Sequence, residues 1–336
     1  MTGGDDMKGS GVTGARELLV IAVGAALEAG QLLASKEGRV EVAATKSSPT
    51  DVVTEMDGRA EELIRARILV ARPDDAILGE EGGQVGGAAD APVRWVVDPL
   101  DGTVNYLYGL HDWAVSIAAE AGGVEGGDAR DGEPGRAEGG DASGVGGGDV
   151  GGVEGGDVGR RIVAGAVYVP MRGELFTAVR GEGAWLESSR GSGTSGGPGE
   201  TAIPDSTFER IPLRCRPGVP LDQALVATGF GYRAQRRTVQ GEVVAALLPR
   251  IRDIRRNGVA SIDLCAVAAG RLDGYYERGL NYWDYAAGAL IAAEAGAVVG
   301  DSRGGPPGTS MTVAAGPGLF GPLRDALAEL DAERDG

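Results

Sequence analysis

Histidine is almost missing from this chain: His111 is the only one among 336 residues. That scarcity argues against histidine-based triads, zinc sites built on several histidines, and histidine phosphotransfer through any other position. Cysteine is nearly as rare. Cys215 and Cys265 stand alone without paired metal-ligand spacing, as expected of a chain in a reduced, cytoplasmic compartment. Aromatic residues make up only 5%, so the core must rest on Ala, Val, Leu and Ile. Basic residues are too few for the acids, 32 against 49, and the net charge of −17 argues against a nucleic-acid surface. Long apolar runs are also lacking. The stretch Leu18 to Leu33 is interrupted by Glu28 and Gln31, so neither a signal peptide nor a bilayer span is expected.

Glycine is abundant instead, with 60 residues unevenly spread. Residues 1–14 read as a disordered tail. From Ala15, apolar residues at helical spacing predict a long amphipathic helix to about Ser35. Gly122 to Arg160 repeats Gly-Gly-Val-Glu-Gly-Gly-Asp and reads as a mobile loop inserted into a hairpin, because it cannot bury enough apolar area to offset its ordering entropy. A second Gly- and Ser-rich insertion covers 188–205. The folded body therefore spans about 15–330. Its N-terminal α+β part covers about 15–215, and an alternating α/β part follows over about 216–330. Together these predict a layered sandwich of sheets and helices.

The chemistry concentrates in Trp95 to Asn105. Three strand-forming residues lead into Asp98; Pro99 should end the sheet pairing, and a turn through Leu100 can return Asp101 to the side of Asp98. Gly102 then lets a ligand approach the backbone, and Thr103 opens a helix. Two carboxylates, a carbonyl, exposed N–H groups and a hydroxyl suit hard divalent cations and phosphate. Other acids stand at comparable places. Asp57 opens a helix, where capping competes with a site role, and Glu80 lies in Gly79-Glu80-Glu81-Gly82, either presented at a strand end or merely solvated. Asp284 sits in a first helical turn, where compensation of the helix dipole is the simpler reading.

Taken together, Gly79-Glu80-Glu81, Asp98-Pro99-Leu100-Asp101-Gly102-Thr103-Val104-Asn105 and Trp283-Asp284-Tyr285-Ala286-Ala287-Gly288 resemble the inositol monophosphatase family of lithium-sensitive, Mg²⁺-dependent phosphatases. Lys46-Ser47-Ser48-Pro49, with Asp51 to Asp57, and Tyr275-Tyr276-Glu277 join the match. The resemblance implies an αβαβα sandwich, a homodimer and two to three Mg²⁺ ions per site. Glu80, Asp98 and the Leu100 carbonyl would hold one ion, and Asp98, Asp101 and Asp284 a second; Glu80 would reach a weaker third. Ions roughly 4 Å apart can clamp both the attacking and the leaving oxygen of an in-line displacement. Asp57 would hydrogen-bond Thr103, which orients the attacking water, while the N–H groups of Gly102 and Thr103 bind phosphate with help from the helix dipole. Lys46 would support the site from behind. Glu277, with Ser261 or Asp263, would contact a polyol; Arg255 and Arg256 are either part of that pocket or structural ion pairs. Val104, and Asn281 with Tyr282 before Trp283, depart from the family pattern and point to an altered rim. The implied substrate is a small phosphorylated polyol or sugar, inositol 1-phosphate first. Histidinol phosphate is the runner-up, bisphosphatase activities rank lower, and a non-catalytic binding protein is the alternative of another class.

Overall fold

The structure, a computed structural model, describes residues 6–36, 42–45, 52–87, 91–122, 160–188 and 209–334. Lys46 and nearly all of both expected insertions lie outside these residues. In chain order the elements are α1 (Asp6–Ala34), β1 (Val42–Thr45), β2 (Val52–Thr54), α2 (Glu55–Ala71), β3 (Ala76–Gly79), β4 (Gly83–Val85), β5 (Val93–Asp101), α3 (Thr103–Leu107), β6 (Ala114–Gly122) and β7 (Arg160–Val169). They continue with β8 (Glu174–Val179), β9 (Gly183–Ser188), β10 (Glu209–Pro212), β11 (Leu225–Thr228), α4 (Ala234–Leu247), β12 (Asp253–Arg255) and α5 (Ala260–Ala268). The last are β13 (Gly274–Glu277), α6 (Tyr282–Glu294), β14 (Val298–Gly300), β15 (Thr312–Ala315) and α7 (Pro317–Glu329).

Eight strands form one sheet in the order β10-β9-β8-β7-β6-β5-β3-β4, and five form a second in the order β12-β11-β13-β15-β14. Period-two alternation sends each strand's residues to opposite faces. Trp95, Val97, Val115 and Ile117 pack with Leu18, Ala22 and Leu33 of α1 and Ile64 and Ile68 of α2. Their neighbours Val96, Ala114 and Ala118 pack with Ile262 and Leu264 of α5 and Leu290 and Ile291 of α6. That same helix layer carries Ala227, Tyr275 and Ala314 of the second sheet. Behind these strands, Val226, Tyr276 and Val313 meet Val239 and Val243 of α4 and Leu319 and Leu323 of α7. The result is five layers, helix–sheet–helix–sheet–helix. The middle helices pack closely because Gly288 has no side chain: a Cβ there would come within 2.9 Å of Leu264.

Three expectations are corrected. The first helix begins at Asp6, so Asp6 to Gly14, read as a disordered tail, are helical. Within it, Gly14–Ala34 is apolar and long enough by composition to cross a membrane, contrary to the reading that it is too polar. In the fold it buries Leu18, Ala22, Ala25, Ala26, Ala29 and Leu33 against the first sheet. Finally, Pro99 does not end the pairing of β5.

Candidate active site

Strand β5 pairs with β6 as far as Asp98 opposite Ser116, slips, and resumes with Asp101 opposite Ala114. Three steps on β5 thus match two on β6, which is a β-bulge. Residues three apart on a regular strand face opposite sides; one extra residue restores them to the same side. Pro99 falls inside the bulge, where its missing donor costs no ladder bond. Asp98 anchors the kink by accepting from the Leu100 N–H at 3.0 Å.

Parallel pairing delivers Glu80. Strand β3 runs beside β5 with Gly79 opposite Val97, and the Glu80 N–H donates to the Val97 carbonyl at 3.2 Å. Glu80 and Asp98 therefore leave the same sheet edge side by side. From the middle layer, Asp284 joins them at the start of α6. Burial pushes the Asp98 carboxyl well above the usual range, and the like charges of Glu80, Asp101 and Asp284 push it further. Burial does the same to Asp284, again aided by Glu80 and Asp101. Asp101 is raised to about 6 by burial, against the pull of hydrogen bonds from the start of α5.

Such mutually raised acids suit a hard cation, whose charge favours their ionised forms. Among the described residues, however, no three Asp, Glu, His or Cys side chains close around one point. The expected trio Asp98, Asp101 and Asp284 is in electrostatic contact without forming a finished cage. Two of its members are engaged elsewhere. Asp101 accepts from the Ser261 N–H at 2.8 Å, and Asp284 from the Asn281 N–H at 2.7 Å. Mg²⁺ typically keeps several waters and takes one or two carboxylates, so the donor set still fits.

Asp57 makes both of the contacts expected of it. It completes a capping box with Thr54, accepting from the Thr54 N–H at 2.9 Å, and its other oxygen accepts from the Thr103 hydroxyl at 3.0 Å. Asp284 likewise completes a capping box with Asn281. Gly102 adopts φ +95°, and a Cβ there would lie 2.8 Å from Val259, so only glycine suits this turn. The helix that follows has just five residues. Its dipole is correspondingly small, so any help to phosphate from the helix rests mainly on its free N–H groups.

On the facing side, Tyr275 and Glu277 are two apart on β13 and share a face, and the Tyr275 hydroxyl donates to Glu277 at 2.7 Å. Burial raises Glu277 to about 7 and Asp263 to about 8, and Asp101 adds repulsion at both. Ser261 Oγ and Asp263 Oδ2 are buried with no hydrogen-bond partner among the described residues. Of the two arginines, Arg255 is ion-paired with Asp253 at 2.6 Å, whereas Arg256 lies over the Phe230 ring at 5.7 Å. Tyr282, expected to alter the rim, turns inward and donates to the buried Glu120 at 2.6 Å.

Two groups of contacts escaped sequence reading. Asn105 donates to the carbonyls of Asp112 and Asn257, at 2.7 and 3.0 Å, and Asn257 donates to Asp263 at 2.6 Å; this chain joins α3 to α5. Glu61 of α2 accepts from the backbone beside Glu80. Its signal was an acid one turn beyond Asp57 on the face that buries Ile64 and Ile68.

The sequence profile of the inositol monophosphatase family matches residues 15–125 and 157–333. The chain belongs to the inositol monophosphatase family. That family is one of phosphoric monoester hydrolases and is generally metal-dependent. Among its relatives, the inositol-1-monophosphatase of Mycobacterium bovis is 41% identical over 287 residues, spanning 84% of this chain and 80% of the relative. The Nus factor SuhB of Escherichia coli K12 is 36% identical over 290 residues, spanning 86% of each. Among solved structures, Mycobacterium tuberculosis SuhB superposes with a TM-score of 0.65 at 36% identity, covering 95% of this chain and 98% of the other. The suhB protein of Bartonella henselae gives 0.69 at 30% identity, covering 93% and 98%. The layers of this chain are thus those of an inositol monophosphatase fold.

Proposed function

We propose that this chain is a Mg²⁺-dependent phosphomonoesterase of small polyols, with inositol monophosphate as its substrate. The observation that carries the reading is the convergence of Glu80, Asp98, Asp101 and Asp284 beside the Asp57–Thr103 hydrogen bond. In this reading Glu80, Asp98 and the Leu100 carbonyl hold one cation, Asp98, Asp101 and Asp284 a second, and Glu80 a weaker third. Bound cations neutralise charge developing on the phosphoryl and leaving oxygens and make water acidic enough to react at neutral pH.

The chain's own residues do the rest. Thr103 directs its single hydroxyl proton towards Asp57, with the Leu100 carbonyl at 3.1 Å as a second acceptor. Its lone pairs are thereby left to accept a hydrogen bond from the attacking water and fix its direction, and the water's proton can be taken up by Thr103 only as Thr103 passes its own to Asp57. The N–H groups of Gly102 and Thr103 hold the phosphate oxygens. Glu277 and the unpartnered Ser261 hydroxyl take the polyol hydroxyls. Two free thiols, Cys215 and Cys265, support a reducing, cytoplasmic setting, and dimerisation belongs to the reading through the family.

The test is phosphate release from a panel of phosphomonoesters, with Mg²⁺ and with EDTA. Mg²⁺-dependent release led by inositol 1-phosphate is expected. Release led by histidinol phosphate would keep the mechanism and replace the substrate; no release from any ester would leave a binding protein.

A further inference from the structure

We propose that Glu61 is a positioning residue, a latch that fixes the Glu80 hairpin for cation binding. Helical spacing places Asp57, Glu61 and Arg65 in one stripe along α2, since residues four apart lie one turn above each other. Asp57 reaches Thr103, as described. One turn on, Glu61 is buried, an unusual place for a carboxylate unless its oxygens are satisfied.

They are satisfied by the turn between β3 and β4. One oxygen accepts from the Glu81 N–H at 2.8 Å and the other from the Gly82 N–H at 2.9 Å. Arg65 stands 3.4 Å away and balances the charge. The turn is shaped around this carboxylate. A Cβ on Gly79 or on Gly82 would lie 2.6 Å from it, so both glycines leave room for the latch.

Glu80 lies inside this clamp. Its own N–H is tied to the Val97 carbonyl, and the next two N–H groups are tied to Glu61. The backbone is held on both sides of one side chain, which fixes where that carboxylate meets Asp98. Glu61 acts through Glu80 and touches neither cation nor substrate. A single face of α2 therefore positions both the water-orienting Thr103 and the cation-binding Glu80.

This role rests on the cation-dependent reading above. The experiment measures Mn²⁺ binding to the metal-stripped protein by electron paramagnetic resonance, with amide hydrogen exchange at residues 80–82. Two variants break the latch differently: Glu61→Gln replaces one acceptor by a donor, and Gly82→Ala displaces the carboxylate without changing charge. Each is expected to weaken Mn²⁺ binding about tenfold, within the range for partners that orient metal ligands, and to speed exchange at Glu81 and Gly82. The double variant should lose little more than either alone. Tight binding by the unmodified chain that both variants leave unchanged would overturn the role of Glu61, even with faster exchange. No saturable binding by the unmodified chain would overturn the cation site itself and this role with it.

Discussion

Asp57 and Thr103, 46 residues apart in sequence, are joined by a hydrogen bond at 3.0 Å between the first turn of α2 and the first residue of α3. The same carboxylate caps its own helix. Its two oxygens therefore separate the proposed catalytic contact from a stabilising one. Asp57→Asn should lower kcat by about a hundredfold or more, the scale of a lost proton-directing group. Loss of the cap contact should cost only about 1 kcal/mol of stability. Steady-state kinetics beside thermal unfolding separates the two, and an unchanged kcat would remove Asp57 from the mechanism.

Asp101 offers a test with opposite signs. It is a buried acid among acids, raised to about 6 by burial. Asp101→Asn should abolish phosphate release. It should also leave the metal-free protein at least as stable as the original near pH 8, because one buried charge disappears. The rise in melting temperature on adding Mg²⁺ should shrink or vanish. Retained activity would overturn its assignment as a cation ligand.

Asp263 sets a pH dependence. The folded chain holds its proton up to about 8, whereas an unfolded chain releases it near ~3.9. Between those values the folded state binds the extra proton, so this contribution to stability is complete below about pH 4 and is lost as the pH rises to about 8. Asp263→Asn keeps an acceptor for Asn257 and removes the titration. The variant should match the original near pH 4 and gain on it by roughly 1.4 kcal/mol per pH unit up to about pH 8. Metal-free denaturation curves across that range decide it; parallel pH profiles for the two proteins would refute the assignment.

Glu277 should govern substrate choice more than turnover. Bonded to Tyr275 and raised to about 7 by burial, it faces the proposed polyol pocket. Glu277→Gln should raise KM for inositol 1-phosphate by about tenfold, a loss of about 1.4 kcal/mol. KM for p-nitrophenyl phosphate, which lacks those hydroxyls, should barely move. Equal effects on both esters would remove Glu277 from polyol recognition.

Arg94 and Glu120 form a buried ion pair at 2.7 Å, completed by the Tyr282 hydroxyl. Arg94→Ala leaves that carboxylate buried without its counter-charge and should cost about 3–5 kcal/mol in urea denaturation. Arg94→Ala together with Glu120→Ala should recover part of the loss; strict additivity would deny the pairing.

Much of this was legible in the sequence because local rules and global packing agreed. The long helix expected from Ala15 to about Ser35 lies within α1, which ends at Ala34. The four grouped acids lie at element ends, where chain direction alone brings them together. What stayed hidden depended on partners distant in sequence. The bulge at Asp98 to Asp101 is a property of two strands, so Pro99 read as a terminator when judged from one. Strands β4, β10 and β12 are short, at three, four and three residues, and carry little periodic signal of their own. The Tyr282–Glu120 contact spans 162 residues, and nothing near either residue announces it.

The middle helices do more than fill space between two sheets. The acids Glu80, Asp98 and Asp101 come from the first sheet's edge, whereas Glu277 comes from the second, so the thickness of the α5–α6 layer sets how far the proposed cation and phosphate groups stand from the proposed polyol contact. Gly165 of β7, where a Cβ would come within 3.2 Å of Ala287 of α6, lets that layer lie close against the first sheet. A bulkier residue there would push α6 off the first sheet and, in the proposed reading, lengthen the site, turning a packing residue into a ruler for the size of the leaving group.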